Sequence, residues 1–206
     1  MARRFITVFD TETTGFDPNE NHVYQIAAVT LGVEEDHVRE LDEFEVKLWL
    51  PPDGLEQLDK LREKKPEVVL YDHEVWTAHG VPTLAGLRSF LGYLNTWAWI
   101  PKKSKKGTTY YVALLGGHNV DFDLKMMRGM CKRNDVFFPA EYWGLDTVSL
   151  FRWLAVMHPN RKLPENYQLG TLADHVKVPL ENAHDAMADV RATVELIKYA
   201  WGSKEE

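Results

Sequence analysis

Four carboxylates and one histidine, carried on three separated segments, constrain this chain more than any other feature. Asp10 and Glu12 lie in Asp10-Thr11-Glu12-Thr13-Thr14-Gly15, directly after the apolar run Phe5 to Phe9. Asp123 closes His118-Asn119-Val120-Asp121-Phe122-Asp123, and His184 and Asp189 bound His184-Asp185-Ala186-Met187-Ala188-Asp189. A fold that gathers these segments concentrates negative charge at one point, and that charge needs cations. Carboxylate oxygens are hard ligands that suit hard divalent ions, and a pair of ions about 3.5–4 Å apart is a recurrent device for cutting phosphodiesters. The pattern therefore points to metal-dependent phosphodiester hydrolysis. A lone Asp-x-Glu would not carry this reading, since Asp72 and Glu74 form a second such pair.

The rest of the chain supplies an α/β frame for these segments. Phe5 to Phe9 suits a buried central strand, and Val23 to Val33 and Val38 to Leu50 read as two more strands, joined through Glu34-Glu35-Asp36. Pro51-Pro52-Asp53-Gly54 ends that hairpin, and the charged stretch to about Val81 is expected to hold short helical pieces at best. Leu84, Leu87, Leu91 and Leu94 recur at helical spacing and predict an amphipathic helix over Thr83 to Trp97. Tyr110 to Leu115 reads as a buried strand. Helices are expected near Phe122–Arg133, Thr147–Met157 and Leu169–Val176. A last helix should run from about Asp185 to Trp201, with Val190, Val194, Ile197 and Trp201 on one face. Three strands followed by alternating units fit a mixed sheet with helices on both sides. The expected organisation is one domain over residues 1–203, with 204–206 as a tail.

Local geometry restricts what each acid can do. Residues two apart on a strand share a face, so Asp10 and Glu12 can reach one metal site together. Gly15 lets the chain turn sharply after them. Asp123 fits the start of a helix, where an acid complements the helix dipole, although Asp121 competes for attention and could serve as a cap. Residues five apart on a helix point about 140° away from each other. His184 and Asp189 therefore cannot both face the site from one regular helix, and His184 belongs on the loop before it. Asp185, four residues before Asp189, reads as a first-turn acid complementing the dipole.

These three segments, in this order, resemble the three motifs of the DEDDh 3′→5′ exonuclease superfamily. That group has a ribonuclease H-like fold and includes the proofreading subunit of bacterial replicative polymerases. Its pattern D-x-E-T-x-G, N-x-x-F-D and H-x-x-x-x-D is filled here by Asp10, Glu12, Thr13, Gly15, Asn119, Phe122, Asp123, His184 and Asp189. Tyr24-Gln25-Ile26-Ala27, Ala78-His79-Gly80-Val81 and Gly144-Leu145-Asp146-Thr147 add weaker echoes, with Gln25 where the family often has Glu.

The resemblance implies a mixed five-stranded sheet flanked by helices and a 3′→5′ exonuclease that releases nucleoside monophosphates. It selects Asp123 over Asp121, because Phe122 directly precedes the ligand. It implies two Mg²⁺ ions, replaceable by Mn²⁺, held by Asp10, Glu12, Asp123 and Asp189, with His184 as general base. Thr13, Thr14, Gly15, Phe16, His118, Asn119 and Phe122 would face the substrate, with Phe16 either stacked on a base or anchoring the turn in the core. DNA 3′ ends are the expected substrate because Asp-Thr-Glu-Thr-Thr-Gly most resembles the proofreading and repair branches. RNA trimming is the alternative. A non-catalytic nucleic-acid-binding module would be expected to lack a ligand or the histidine, and all five are present. Polymerase attachment and self-association are both left open, although no clear polymerase-binding segment follows Trp201.

Composition agrees with this reading. At 206 residues and 45% apolar, the chain suits one domain with a sizeable core. Its single cysteine, Cys131, excludes an intramolecular disulfide, and no leader or membrane-spanning run is visible, so a cytoplasmic protein is expected. The net charge of −7 is unusual for a nucleic-acid partner, but several acids would be metal ligands. The cations cluster: Lys102, Lys103, Lys105 and Lys106 in one segment, and Lys125, Arg128, Lys132 and Arg133 after Asp123. Each group reads either as phosphate contact or as a solvated surface.

Overall fold

The computed structural model describes residues 4–202, except 36, 67, 68, 70, 161, 163 and 181–183. The expected tail at 204–206 lies outside the described residues, as does Asp36 of the acidic turn. Three antiparallel strands open the fold: β1 (Arg4–Thr13), β2 (Val23–Val33) and β3 (Val38–Lys47). Two short strands, β6 (Leu115–Gly117) and β7 (Leu145–Asp146), extend the sheet on the other side of β1, giving the order β3-β2-β1-β6-β7. β6 runs parallel to β1 and β7 parallel to β6, so the sheet is mixed and five-stranded.

The helices fall on both faces of this sheet. On one side α3 (Thr83–Thr96) and α4 (Asp121–Arg133) pack Leu87, Phe90, Leu94, Leu124 and Met127 against Phe9, Ile26 and Ala28. On the other side α7 (Ala186–Gly202) packs Val190, Val194 and Ile197 against Ile6, Val8, Ala27 and Val29. The strand period of two is visible in these lists. Ile6 and Val8 face α7, and Phe9 faces α3 and α4. Central β2 is buried along almost its whole length, whereas edge strand β3 alternates with solvent. Near the far edge, α5 (Thr147–Met157) and α6 (Leu169–Val176) join α7 through Phe151, Leu172 and Leu196. Among the described residues no helix is long and apolar enough to cross a membrane.

Two expectations need correction. The stretch after Pro51 is not irregular: α1 (Pro52–Lys64) is a full helix, followed by α2 (His73–His79). Pro52 opens α1, where a missing N–H costs nothing, and Leu55, Leu58 and Leu61 pack with Tyr24, Tyr71 and Trp76. Asp72, of the second Asp-x-Glu pair, caps α2 by accepting from the main chain of Glu74 and Val75. Tyr110 to Leu115 is not one buried strand. Its first half, β5 (Thr109–Val112), pairs with β4 (Ile100–Lys103) in a separate ribbon, and only Leu115 enters the main sheet. A two-stranded ribbon leaves both faces accessible, so Tyr110 and Tyr111 are exposed.

Candidate active site

β1 distributes the first motif to two neighbours. Asp10 and Glu12 continue the Ile6–Val8 face and meet α7. Thr11 points the other way and meets α4. On the α7 side, carboxylate oxygens of Asp10, Glu12 and Asp189 all lie within 4.8 Å of one another. On the α4 side, the Thr11 main-chain N–H and hydroxyl both donate to Asp123 Oδ1, at 3.0 and 2.6 Å. Asp123 is only 3% exposed, and this clamp fixes its remaining oxygen. Asp123 is thus set beside the group of three rather than within it, while lining the same cavity of about 360 Å³.

The electrostatics follow from this crowding. Burial, then the charges of Asp123, Glu12 and Asp189, hold the Asp10 carboxyl far above the ordinary range. Burial, with repulsion from Asp189, raises Glu12 to about 9. Asp123 is pushed up to about 7 by burial, against the two Thr11 hydrogen bonds. Asp189 is pushed up to about 6 by burial, with His184 pulling the other way. Acids that resist ionisation this strongly have too little countercharge among the described residues. Asp189 Oδ1 is moreover buried with no hydrogen-bond partner among the described residues. An orphaned oxygen facing two further carboxylates fits a hard divalent cation.

The third motif is set by a helix start. Asp185 precedes α7 and accepts from the Ala188 N–H at 3.1 Å, while its other oxygen accepts from Gln25 Nε2 at 3.1 Å. It is the cap of α7 rather than a first-turn acid, and both its oxygens are engaged. His184 lies outside the helix with φ of 71°, a left-handed conformation that costs a non-glycine residue about 1–2 kcal/mol. That twist lets His184 and Asp189 line the same cavity from different directions.

The second motif rests on the strand after it. Asp146 Oδ1 accepts from the Asn119 N–H at 3.0 Å and also caps α5 through Val148. Asn119 is held there at φ of 56°. Thr147 Oγ1 lies 2.9 Å from His118 Nδ1 and donates to the Gly117 carbonyl. Asp121 makes no cap and pairs with Lys125 at 2.5 Å.

Around this centre the structure brings Thr13, Gly15, Phe16, His118, Asn119 and Phe122 to the cavity wall. Phe16 is 70% exposed, its ring 6.0 Å from that of Phe122, which removes the core-anchor reading. Gly15 leaves room for the Asn21 side chain, whose Oδ1 would lie 2.6 Å from a Cβ there. Thr14 is buried away from the cavity, its hydroxyl donating to Gln57 Oε1 at 2.6 Å and accepting from the His22 N–H.

Sequence reasoning assigns no role to five contributors. Thr11 could have been found from strand alternation alone. Asp146 and Thr147 stand out in the sequence only as a weaker echo of the family pattern. Leu61 and Lys65 reach the cavity from α1 and the residue after it, and the Lys65 ammonium lies 5.9 Å from the Phe16 ring centroid. No local signal marked them, because α1 itself was not expected.

No family model matches the chain. Over 204 residues, 97% of the chain, it is 26% identical to a PolC-type DNA polymerase III of Clostridium perfringens, of which it covers 11%. Over 89 residues, 43% of the chain, it is 35% identical to a 3′-5′ exonuclease DinG of Staphylococcus haemolyticus, of which it covers 9%. The zinc-bound complex of E. coli exonuclease I with single-stranded DNA shares the fold, with a TM-score of 0.71 at 21% identity over 98% of this chain and 41% of that one. The chain spans between 5% and 11% of the length of the curated relatives it matches. Motif order, sequence relatives and fold agree, and the chain resembles the DEDDh 3′→5′ exonuclease superfamily in all three.

Proposed function

We propose that residues 1–203 act as a single exonuclease domain that shortens DNA from the 3′ end, releasing nucleoside monophosphates. The observation that carries this reading is the trio Asp10, Glu12 and Asp189, with oxygens within 4.8 Å and Asp189 Oδ1 unpartnered, beside His184 and Asp123 in one cavity. Two Mg²⁺ ions held by these acids, with Mn²⁺ as a substitute, would supply an acidified water and neutralise the scissile phosphate. Asp123, braced by Thr11, completes the anionic wall. His184 takes the proton of the attacking water, the general-base task for which an imidazole is the commonest side chain. Phe16 and Phe122 offer a face to the terminal base. Stacking of this kind accepts every base, so little sequence preference is expected. The Asn119 and His118 side chains and the backbone at Thr13 and Gly15 position the terminal nucleotide.

DNA is assigned as substrate because the sequence relatives include a DNA polymerase III and a 3′-5′ exonuclease, and the structural neighbour is a complex with single-stranded DNA. The test is digestion of matched 5′-labelled DNA and RNA strands, with Mg²⁺ and with EDTA. A metal-dependent ladder shortening from the 3′ end, faster on DNA, is expected. A faster RNA ladder transfers the assignment to exoribonuclease, and binding without cleavage in any metal contradicts it.

A further inference from the structure

Lys125, Arg128 and Lys132 follow Asp121 at spacings of four, seven and eleven residues, so they share one face of α4. This stripe starts at the motif-two end of the active site and runs to a second cavity of about 440 Å³, walled by Lys132, Phe137, Tyr110 and Tyr142. Four large aromatics border the route in water. Phe137 is 63%, Tyr142 61% and Trp143 73% exposed, and the Tyr110 ring lies 5.6 Å from that of Phe137. The Tyr142–Trp143 loop is held in place rather than loose. Arg128 donates to the carbonyls of Glu141 and Tyr142 at 3.3 and 2.5 Å, and its guanidinium carbon lies 4.6 Å from the Tyr142 ring centroid. Gly144 then packs so tightly that a Cβ would sit 2.7 Å from Val120 Cγ1, which ties the aromatic pair to the turn carrying Asn119.

Exposed aromatic clusters of this kind mark binding surfaces, and the charges around them select the partner. Lys132 has no ion-pair partner among the described residues, and neither do Lys103, Lys105 and Lys106 around the tip of the β4–β5 ribbon. In a chain of net charge −7, such a concentration of unpaired cations is local. Cations interleaved with exposed rings match a strand that offers phosphates and base faces together, whereas a protein partner for an apolar patch would not need them.

We propose that this surface is a track for single-stranded nucleic acid, holding the nucleotides on the 5′ side of the one in the active site. The proposal rests on the nuclease reading for its polarity. From Asp121 to Lys132 the helix rises about 17 Å, room for roughly five nucleotides at the ~3.4 Å spacing of a stacked strand. Bases stack on Trp143, Tyr142 and Phe137, while Lys132 and the ribbon lysines meet phosphates.

The test compares wild type with two variants, Phe137→Ala/Tyr142→Ala and Lys103→Gln/Lys105→Gln/Lys106→Gln/Lys132→Gln, each checked for fold by circular dichroism. Affinity is measured in EDTA for fluorescein-labelled oligothymidylates of three and about twelve nucleotides, within the site sizes common for single-strand binders. The longer strand should bind wild type more tightly. The aromatic variant should lose roughly tenfold or more on it for each stacked base, with little change on the trinucleotide. The lysine variant should flatten the salt slope by about 0.7 for each phosphate contact removed. Length-independent wild-type affinity, or equal losses on both strands, overturns the track. So does unchanged binding together with ring-dependent self-association, which would make the surface a protein interface. Trinucleotide hydrolysis in Mg²⁺ reports the nuclease reading separately. If no substrate is cleaved while ring-dependent binding persists, the nuclease reading fails and the track stands.

Discussion

Asp10, Glu12 and Asp189 bring carboxylate oxygens within 4.8 Å of one another, with Asp189 Oδ1 unpartnered among the described residues, and this sets what substitution does to them. Asp10→Asn, Glu12→Gln or Asp189→Asn keeps shape and volume but removes the anionic oxygen. Each is expected to abolish hydrolysis while circular dichroism stays that of the wild type, and retained turnover in any of them contradicts the metal assignment. His184 is outside the trio, and on the proposed reading its part is to take a proton rather than to hold a metal ion. His184→Ala should slow turnover by about 10²–10⁴ with divalent binding intact, read by calorimetry beside the rate. Wild-type turnover in that variant would remove its role as base. The five residues of the motifs were legible because the chemistry fixes residue type. Thr11 was legible in principle, since alternation turns it toward α4, but threonine between two acids carries no signal of what it will meet.

At the scale of elements, the site is held by contacts between segments far apart in sequence. α4 presses so closely on the β1–β2 connection that Gly129 faces the Pro18 carbonyl, and Arg133 donates to the carbonyls of Pro18 and Asn21. Alanine for glycine in a helix normally stabilises by about 1 kcal/mol. Here the added methyl meets backbone, and Gly129→Ala should instead destabilise by about 1–3 kcal/mol, measured by denaturant unfolding. A variant as stable as wild type would show that α4 is not pinned there. Helices with long apolar stripes, α3 and α7, were readable from periodicity. α1 was not, because its three leucines are diluted by charged residues and bury against Tyr24, Tyr71 and Trp76, which arrive from elsewhere. The split of Tyr110 to Leu115 was equally hidden, since the change of partner from β4 to β1 is decided by tertiary pairing.

Across the whole molecule, the acidic cluster couples stability to pH and to divalent ions. Asp189, Asp123 and Glu12 titrate in the folded protein near 6, 7 and 9, against ordinary values of 3.8 for Asp and 4.5 for Glu. Their pKa values are raised, so the folded state holds protons that the unfolded chain releases. Their contribution is full below about pH 4 and is lost as the pH climbs through the folded values. In EDTA the Tm should therefore fall between about pH 5 and pH 9, and added Mg²⁺ should raise it more at the alkaline end. A Tm in EDTA that rises over that interval would contradict the buried, unneutralised cluster. The most direct test of the account is Mn²⁺ binding followed by electron paramagnetic resonance on wild type and Asp10→Asn. The expected result is two bound ions per wild-type chain and weakened or lost binding in the variant. No bound Mn²⁺ in the wild type, or equal binding in both, would contradict the claim that these carboxylates form a metal centre.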